Sequence, residues 1–292
     1  MRLKADLLLL LTALLWGSAF AVMRVAAQYD IVFLLNGSRF LLGGLLLLPF
    51  TGMRGAVTCK NLVYVLLAGF ALYVAVYFQQ VGLATTTAGN GGFITILYVV
   101  VVPVILWIGW RETPALKTWL AVAAAVAGGF LLSTGGRYEV ASGDWLIFIG
   151  SFFWAMHVVV VGRAQGRIAL LPFAAGQYLV CGLFNLVTGA IVERPTSEVM
   201  LALVPAILYT AVFSIAVGFT FQVLAQKHTP ANDAALIMSL EAVFAALFGW
   251  IFLKENLSLV QLAGCLLIMA AVVLVQFRSG KMQKNIKVER SE

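Results

Sequence analysis

The sequence predicts an all-α integral membrane protein of about ten transmembrane helices, arranged as two inverted five-helix repeats, and three observations predict it. The first is composition. Of 292 residues, 62% are hydrophobic and 11% charged, whereas soluble domains carry roughly 25% charged residues. A mean hydropathy of +1.01 leaves too little polar surface to cover a globule. The second is the length of the apolar runs, about 20 residues, which is what a helix needs to cross the hydrocarbon core. The alternating segments of about ten residues that mark a transmembrane barrel are missing. The third is duplication: a shift of 143 residues lays Ala88 on Ala231, Asn90 on Asp233, Tyr98 on Glu241, Trp107 on Trp250 and Glu112 on Glu255 without a gap.

Taken in order, the spans fall at about 5–27, 31–50, 61–82, 88–110, 115–133, 143–163, 171–192, 200–224, 231–253 and 258–277. The first run follows Arg2 and Lys4 as a signal peptide would, but it is too long for a cleaved leader and lacks a small-x-small end, so it is expected to stay as the first span. The second carries Arg39 at mid-depth. The fourth and ninth are the duplicated pair, each ending in a short charged link (Arg111-Glu112 and Lys254-Glu255), with Thr113 and Asn256 as expected N-caps of the next helix. On the fifth, Ala121, Ala125 and Gly129 recur every four residues, as Ala242, Ala246 and Gly249 nearly do on the ninth, a spacing that lets helices approach closely. The sixth repeats the first: Asp144 and Trp154 are spaced as Asp6 and Trp16. The halves are 1–138 and 139–277, and 278–292 is a basic, frayed, cytoplasmic tail.

An odd number of spans per half turns the second half upside down relative to the first. Inverted repeats of this kind are the architecture of secondary transporters, with the solute near the midplane between halves that rock around it. With the N-terminus inside, the inner segments collect most of the Lys and Arg, among them Arg2, Lys4, Arg54, Arg111, Arg163 and the tail's Arg278, Lys281, Lys284, Lys287 and Arg290. The outer segments keep Arg24, Arg137, Arg194 and Lys254 beside acids such as Glu139 and Asp144. Both termini are then cytoplasmic. The net charge of +7 is what inner loops require, and no nucleic-acid partner is needed to explain it.

Other classes lack their signatures. Cys59, Cys181 and Cys265 are scattered without CxxC or Cys/His spacing, so neither a disulfide framework nor a metal site is indicated. HExxH, GxSxG and P-loop motifs are missing, and His157 and His228 are the only histidines; the chain is expected to be no enzyme, to hold no cofactor and to use no ATP.

Polarity at depth selects the candidate site. Glu241, near the middle of the ninth span, costs about 2.5–3.5 kcal/mol there on insertion scales, so it marks a functional or tightly paired site. It can exchange a proton, hold an ammonium group or pair with a cation. Asp233, eight residues earlier, can face the same cavity or stay at the helix N-terminus as a dipole partner. Arg39 is too deep to snorkel easily, and either pairs with a carboxylate or meets an anionic solute group. His157 can relay protons or serve packing. Trp16 and its equivalent Trp154 can line a pocket with Tyr98, and Gln79 with its equivalent Gln222 can bond a solute or a neighbouring helix. Glu112 and Glu255 are expected to stabilise the helix that follows each of them.

The segments WGSAF at 16–20, SRF at 38–40, and the twin endings WRETP and LKENLSLVQLAG resemble the EamA family of the drug/metabolite transporter superfamily, from about Asp6 to Phe277. The family often has a proline directly after the residue matching Glu241; this chain has Ala242, and its first repeat keeps Pro103 a few positions on. The resemblance implies a secondary transporter of the inner membrane that exports amino acids or other small metabolites. It also implies a central cavity lined by spans one, three, four, six, eight and nine, which here carry Trp16, Ser18, Gln79, Tyr98, Trp154, His157, Gln222 and Glu241. The expected partners are a small solute and membrane lipid, with two alternatives for the driving force, coupling to the proton or facilitation without a coupling ion. Efflux of lipophilic cations or drugs by the same fold is the alternative, with a non-transporting membrane protein behind it.

Overall fold

The computed structural model describes residues 1–52, 57–135 and 141–289, with side chains as far as Leu274. Arg54, Arg137, Glu139 and Arg290, the side chains of Arg278, Lys281, Lys284 and Lys287, and the 138/139 boundary lie outside the described residues. The helices are α1 (Arg2–Ala26), α2 (Phe33–Leu47), α3 (Leu62–Leu83), α4 (Ala88–Thr95), α5 (Tyr98–Trp110), α6 (Leu116–Thr134), α7 (Ser142–Ala164), α8 (Leu170–Val192), α9 (Ser197–Tyr209), α10 (Thr220–Ala225), α11 (Ala231–Met238), α12 (Glu241–Leu253) and α13 (Leu259–Glu289). Among the described residues, nine helical stretches are long and apolar enough to cross a membrane and a shorter apolar one covers Leu259–Leu274. This is an all-α integral membrane protein. Its outer faces carry exposed Leu7, Phe70, Ile108, Leu201 and Phe252, side chains suited to lipid. The helix begun at Leu259 continues to Glu289, so the part of the tail that is described, 278–289, is helical where fraying was expected.

Close helix pairs organise the bundle: α2 lies on α8, α3 on α7, α6 on α13, and α4 on α12. Glycine makes the contacts possible. A Cβ on Gly128 of α6 would stand 2.7 Å from the Gly264 carbonyl oxygen on α13, and one on Gly182 of α8 would stand 2.6 Å from the Leu41 amide on α2. The residue that admits α13 is therefore Gly128, while its neighbour Gly129, singled out by the four-residue spacing, makes room for the Phe93 ring. On the ninth span the expected stripe does pack, with Ala242 and Ala246 against Gly92 and Gly89 of α4. Gly128→Val is expected to destabilise the protein by about 1–3 kcal/mol through overpacking, read as a lower unfolding temperature in detergent; an unchanged temperature would show that the two helices can separate freely.

Two local expectations are corrected. Thr113 and Asn256 are not the caps: α6 starts after Ala115 and α13 after Ser258, whose Oγ accepts from the Gln261 amide at 3.3 Å. Glu255 stabilises α4 rather than the helix after it, accepting from the Ala88 amide at 3.1 Å, and Glu112 pairs with Arg163.

Three spans are irregular where it matters. The fourth and ninth are each broken in mid-membrane, at 96–97 and 239–240, by turns tightened to i→i−3 bonding (Val99 N to Ile96 O, 2.9 Å; Ala242 N to Ser239 O, 3.2 Å). Such turns inside a helix mark hinges. The ninth span breaks without the family's proline; Ser239 Oγ instead donates to the Leu236 carbonyl at 2.7 Å, a local bond that competes with the helical ladder. Each break makes a duplicated residue, Tyr98 or Glu241, the first of a new helix. The eighth span runs through a π-helix, Thr210–Phe219.

Candidate functional site

At the level of these breaks the helices enclose a small cavity. It is lined by Trp16, Phe20 and Met23 of α1, Arg39 of α2, Gln79 of α3, Thr95 and Tyr98 of the fourth span, Trp154, His157 and Val158 of α7, Ser214, Phe219 and Gln222 of the eighth span, and Glu241. Its volume, about 40 Å³, holds a few waters and no more.

The wall is aromatic on one side. Phe219 is the hub, with ring centroids 4.5 Å from Trp16, 5.9 Å from Trp154 and 5.7 Å from His157. The widened turns of the π-helix present the Ser214 carbonyl to Trp16 Nε1 at 3.2 Å, and Gly218 leaves room for that indole. Trp16 is thus locked by its own N–H, whereas Trp154 Nε1 has no hydrogen-bond partner.

The other side is polar and incompletely satisfied. Trp154 Nε1, His157 Nδ1 and Gln222 Oε1 are buried without a hydrogen-bond partner among the described residues, and the Tyr98 hydroxyl faces the Glu241 carboxylate. Buried polar atoms in folded proteins are nearly always bonded, so three orphans around one cavity point to a polar occupant, water or solute. His157 is tied through Nε2 to Gln177 Oε1 at 2.9 Å, and Gln79 donates to Thr95 Oγ1 at 3.0 Å. Arg39 is 5% exposed. Asn36 donates through Nδ2 to the Val76 carbonyl at 3.4 Å, which turns its Oδ1 towards Arg39 Nε, 2.9 Å away. The guanidinium also lies 5.1 Å from the Phe40 ring. Among the described residues it has no acidic partner, and Glu241 has no basic one.

Eight of the sequence candidates therefore line one space: Trp16, Gln79, Tyr98, Trp154, His157, Gln222, Glu241 and Arg39. Ser18 and Asp233 do not. Ser18 follows Trp16 by two residues, about 200° round the helix; its Oγ donates to the Leu15 carbonyl and meets Tyr209 Oη, both at 2.7 Å. Asp233 lies near the end of α1, with Oδ2 2.7 Å from Arg2 Nη2. Phe219, Thr95, Met23 and the Ser214 carbonyl escaped the sequence reading. Thr95, a hydroxyl at depth three residues before Tyr98, was open to the same argument as Gln79. Phe219 was not, because the duplication places Val76 opposite it.

Matching polar clusters stand at the start of α1 and at the start of α7. At one, Arg2 joins Asp6 (3.0 Å) and Asp233 (2.7 Å) and Thr229 donates to Asp6 at 3.0 Å. At the other, Asn90 donates to both oxygens of Asp144 at 3.3 Å and to Thr86 at 3.1 Å. The 143-residue shift carries Thr86 and Asn90 onto Thr229 and Asp233, and Asp144 answers Asp6, so one cluster is an ionic version of the other.

A family model described as the EamA-like transporter family matches residues 3–134 and again 141–277. The chain is 34% identical over 281 residues to an "Uncharacterized transporter" of Archaeoglobus fulgidus, covering 95% of this chain and 87% of that one. It is 28% identical over 278 residues to the "Uncharacterized inner membrane transporter YedA" of Escherichia coli, covering 90% and 87%. A solved crystal structure superposes with a TM-score of 0.77 at 17% identity over 97% of this chain and 99% of that one, a likeness of fold.

Proposed function

The chain belongs to the EamA-like transporter family and is a multi-pass membrane transporter, and from that premise we propose that it moves small zwitterionic metabolites, amino acids foremost, outward across the inner membrane by alternating access. One observation carries the choice of solute: Arg39 and Glu241, opposite in sign and each without a charged partner among the described residues, line the same cavity. Leaving a lone charge in the membrane interior is costly, and a bound zwitterion answers both, its carboxylate on Arg39 and its ammonium on Glu241. The aromatic cluster then takes the apolar side chain. The same rings suit lipophilic cations, but the unpaired guanidinium repels them, which puts drug efflux second.

In this reading the halves 1–138 and 139–277 rock about the broken fourth and ninth spans, and the two end clusters are gates that open in turn, the Arg2 end facing the cytoplasm with both termini. Proton coupling through Glu241 belongs to the same proposal. The experiment is efflux of labelled amino acids from preloaded proteoliposomes, with and without a pH gradient. Protein-dependent efflux supports the reading; efflux of lipophilic cations alone would replace it.

The gates give a second test. Asp233→Asn converts the Arg2 cluster to the chemistry of the Asn90 cluster and removes a part-buried ion pair of about 1 kcal/mol. Amide hydrogen exchange in α11 is expected to rise about fivefold. Unchanged exchange would mean that the ion pair does not hold that end shut.

A further inference from the structure

We infer that Gln226, a residue outside the cavity, fixes the hydrogen-bond polarity of the cavity wall and thereby selects a primary ammonium group over its fully N-methylated counterpart. The inference rests on the zwitterion reading above and adds the nitrogen chemistry that this reading leaves open.

The argument starts at a backbone carbonyl. The oxygen of Val158 can only accept, so the Gln226 amide atom 3.0 Å from it is Nε2. Gln226 Oε1 then faces Gln222, and an oxygen there can only accept, so Gln222 presents Nε2 to it at 3.1 Å. The remaining atom, Gln222 Oε1, is left buried, unpartnered and on a residue lining the cavity. Amide orientations are assigned from networks of this kind, and here every step follows from the one before. Gln226 is 6% exposed, and these two hydrogen bonds tie its side chain to α7 and to Gln222.

The free oxygen does not stand alone. The Glu241 carboxylate, which faces the Tyr98 hydroxyl, is a second acceptor on the same wall. Two acceptor side chains, Gln222 and Glu241, therefore line one cavity, and a primary ammonium brings three N–H donors to meet them. A trimethylammonium group carries the same charge but no donor. It would leave both acceptors without a donor, a loss that hydrogen-bonding sites translate into strong discrimination. A cavity reading charge alone, through the faces of Trp16, Trp154 and Phe219, would favour the methylated cation instead.

The test compares labelled leucine with its N,N,N-trimethyl derivative as competitor in proteoliposomes of the full chain. The wild-type protein is expected to bind the derivative at least tenfold more weakly than unlabelled leucine. Gln226→Met keeps the side-chain length but frees Gln222 to turn its N–H₂ into the cavity, and should bring the ratio below about threefold. Equal competition in the wild type overturns the inference while leaving amino-acid transport standing; absence of any leucine efflux overturns the transport reading itself, and the inference with it. A Gln226→Met protein that loses rate but keeps the tenfold ratio would show that Gln226 is only structural. The wild-type comparison decides the ammonium preference even where that variant does not fold.

Discussion

Arg39→Met abolishes zwitterion transport while leaving the protein folded, with efflux reduced at least tenfold and the apparent KM raised. Among the described residues this guanidinium has one hydrogen bond, from Nε to Asn36, which leaves the terminal nitrogens of the fork to meet an anion. A charge-assisted hydrogen bond contributes about 1.5–3 kcal/mol, so losing a carboxylate contact costs roughly 10- to 150-fold in affinity. Stability should rise or stay unchanged, because the substitution removes a buried charge that has no charged partner among the described residues. Arg39→Lys is expected to recover only part of the activity: it restores the charge but not the planar fork that matches a carboxylate. Efflux kinetics and unfolding temperature on the same preparations check this. Transport unchanged in Arg39→Met would remove the anion site, and a collapsed unfolding temperature would recast Arg39 as a packing clamp.

Glu241→Gln is the second large effect. The residue opens α12 just after the break, lines the cavity with its repeat equivalent Tyr98, and is 2% exposed. Glutamine preserves shape and one acceptor oxygen but cannot balance an ammonium charge or carry a proton. Solute efflux should fall at least tenfold, and any stimulation by a pH gradient should vanish, leaving a flat profile from about pH 5.5 to 8. A gradient response that survives in Glu241→Gln would place coupling on another group, with His157 the next to examine. Wild-type efflux that ignores the gradient would make the protein a facilitator, and Glu241 a binding group alone.

Much of this architecture was legible in the chain. Hydropathy and run length placed nine spans within a few residues of the helical stretches observed, and the start of the tenth, because a bilayer imposes one length scale on every crossing helix. Duplication flagged Tyr98, Glu241, Gln79 and Gln222, and polarity at depth flagged Arg39 and His157, since an ionisable or amide group is too costly in lipid to be incidental. Ser18 was misplaced for a reason open to the same arithmetic: at two residues from Trp16 it must face elsewhere on α1.

The sequence by itself determined that the chain crosses a membrane, about where each helix starts and stops, and which polar side chains lie deep. The tertiary structure alone decided which of those side chains share a space and which way their atoms point. Asp233 went to Arg2, Gln222 was turned by Gln226, and Phe219 became the aromatic hub. The physical reason is one of range. Hydrophobic transfer acts on each residue where it stands and is written into a local window, whereas hydrogen-bond polarity and ring packing depend on partners from other helices, up to 231 residues away for Arg2 and Asp233.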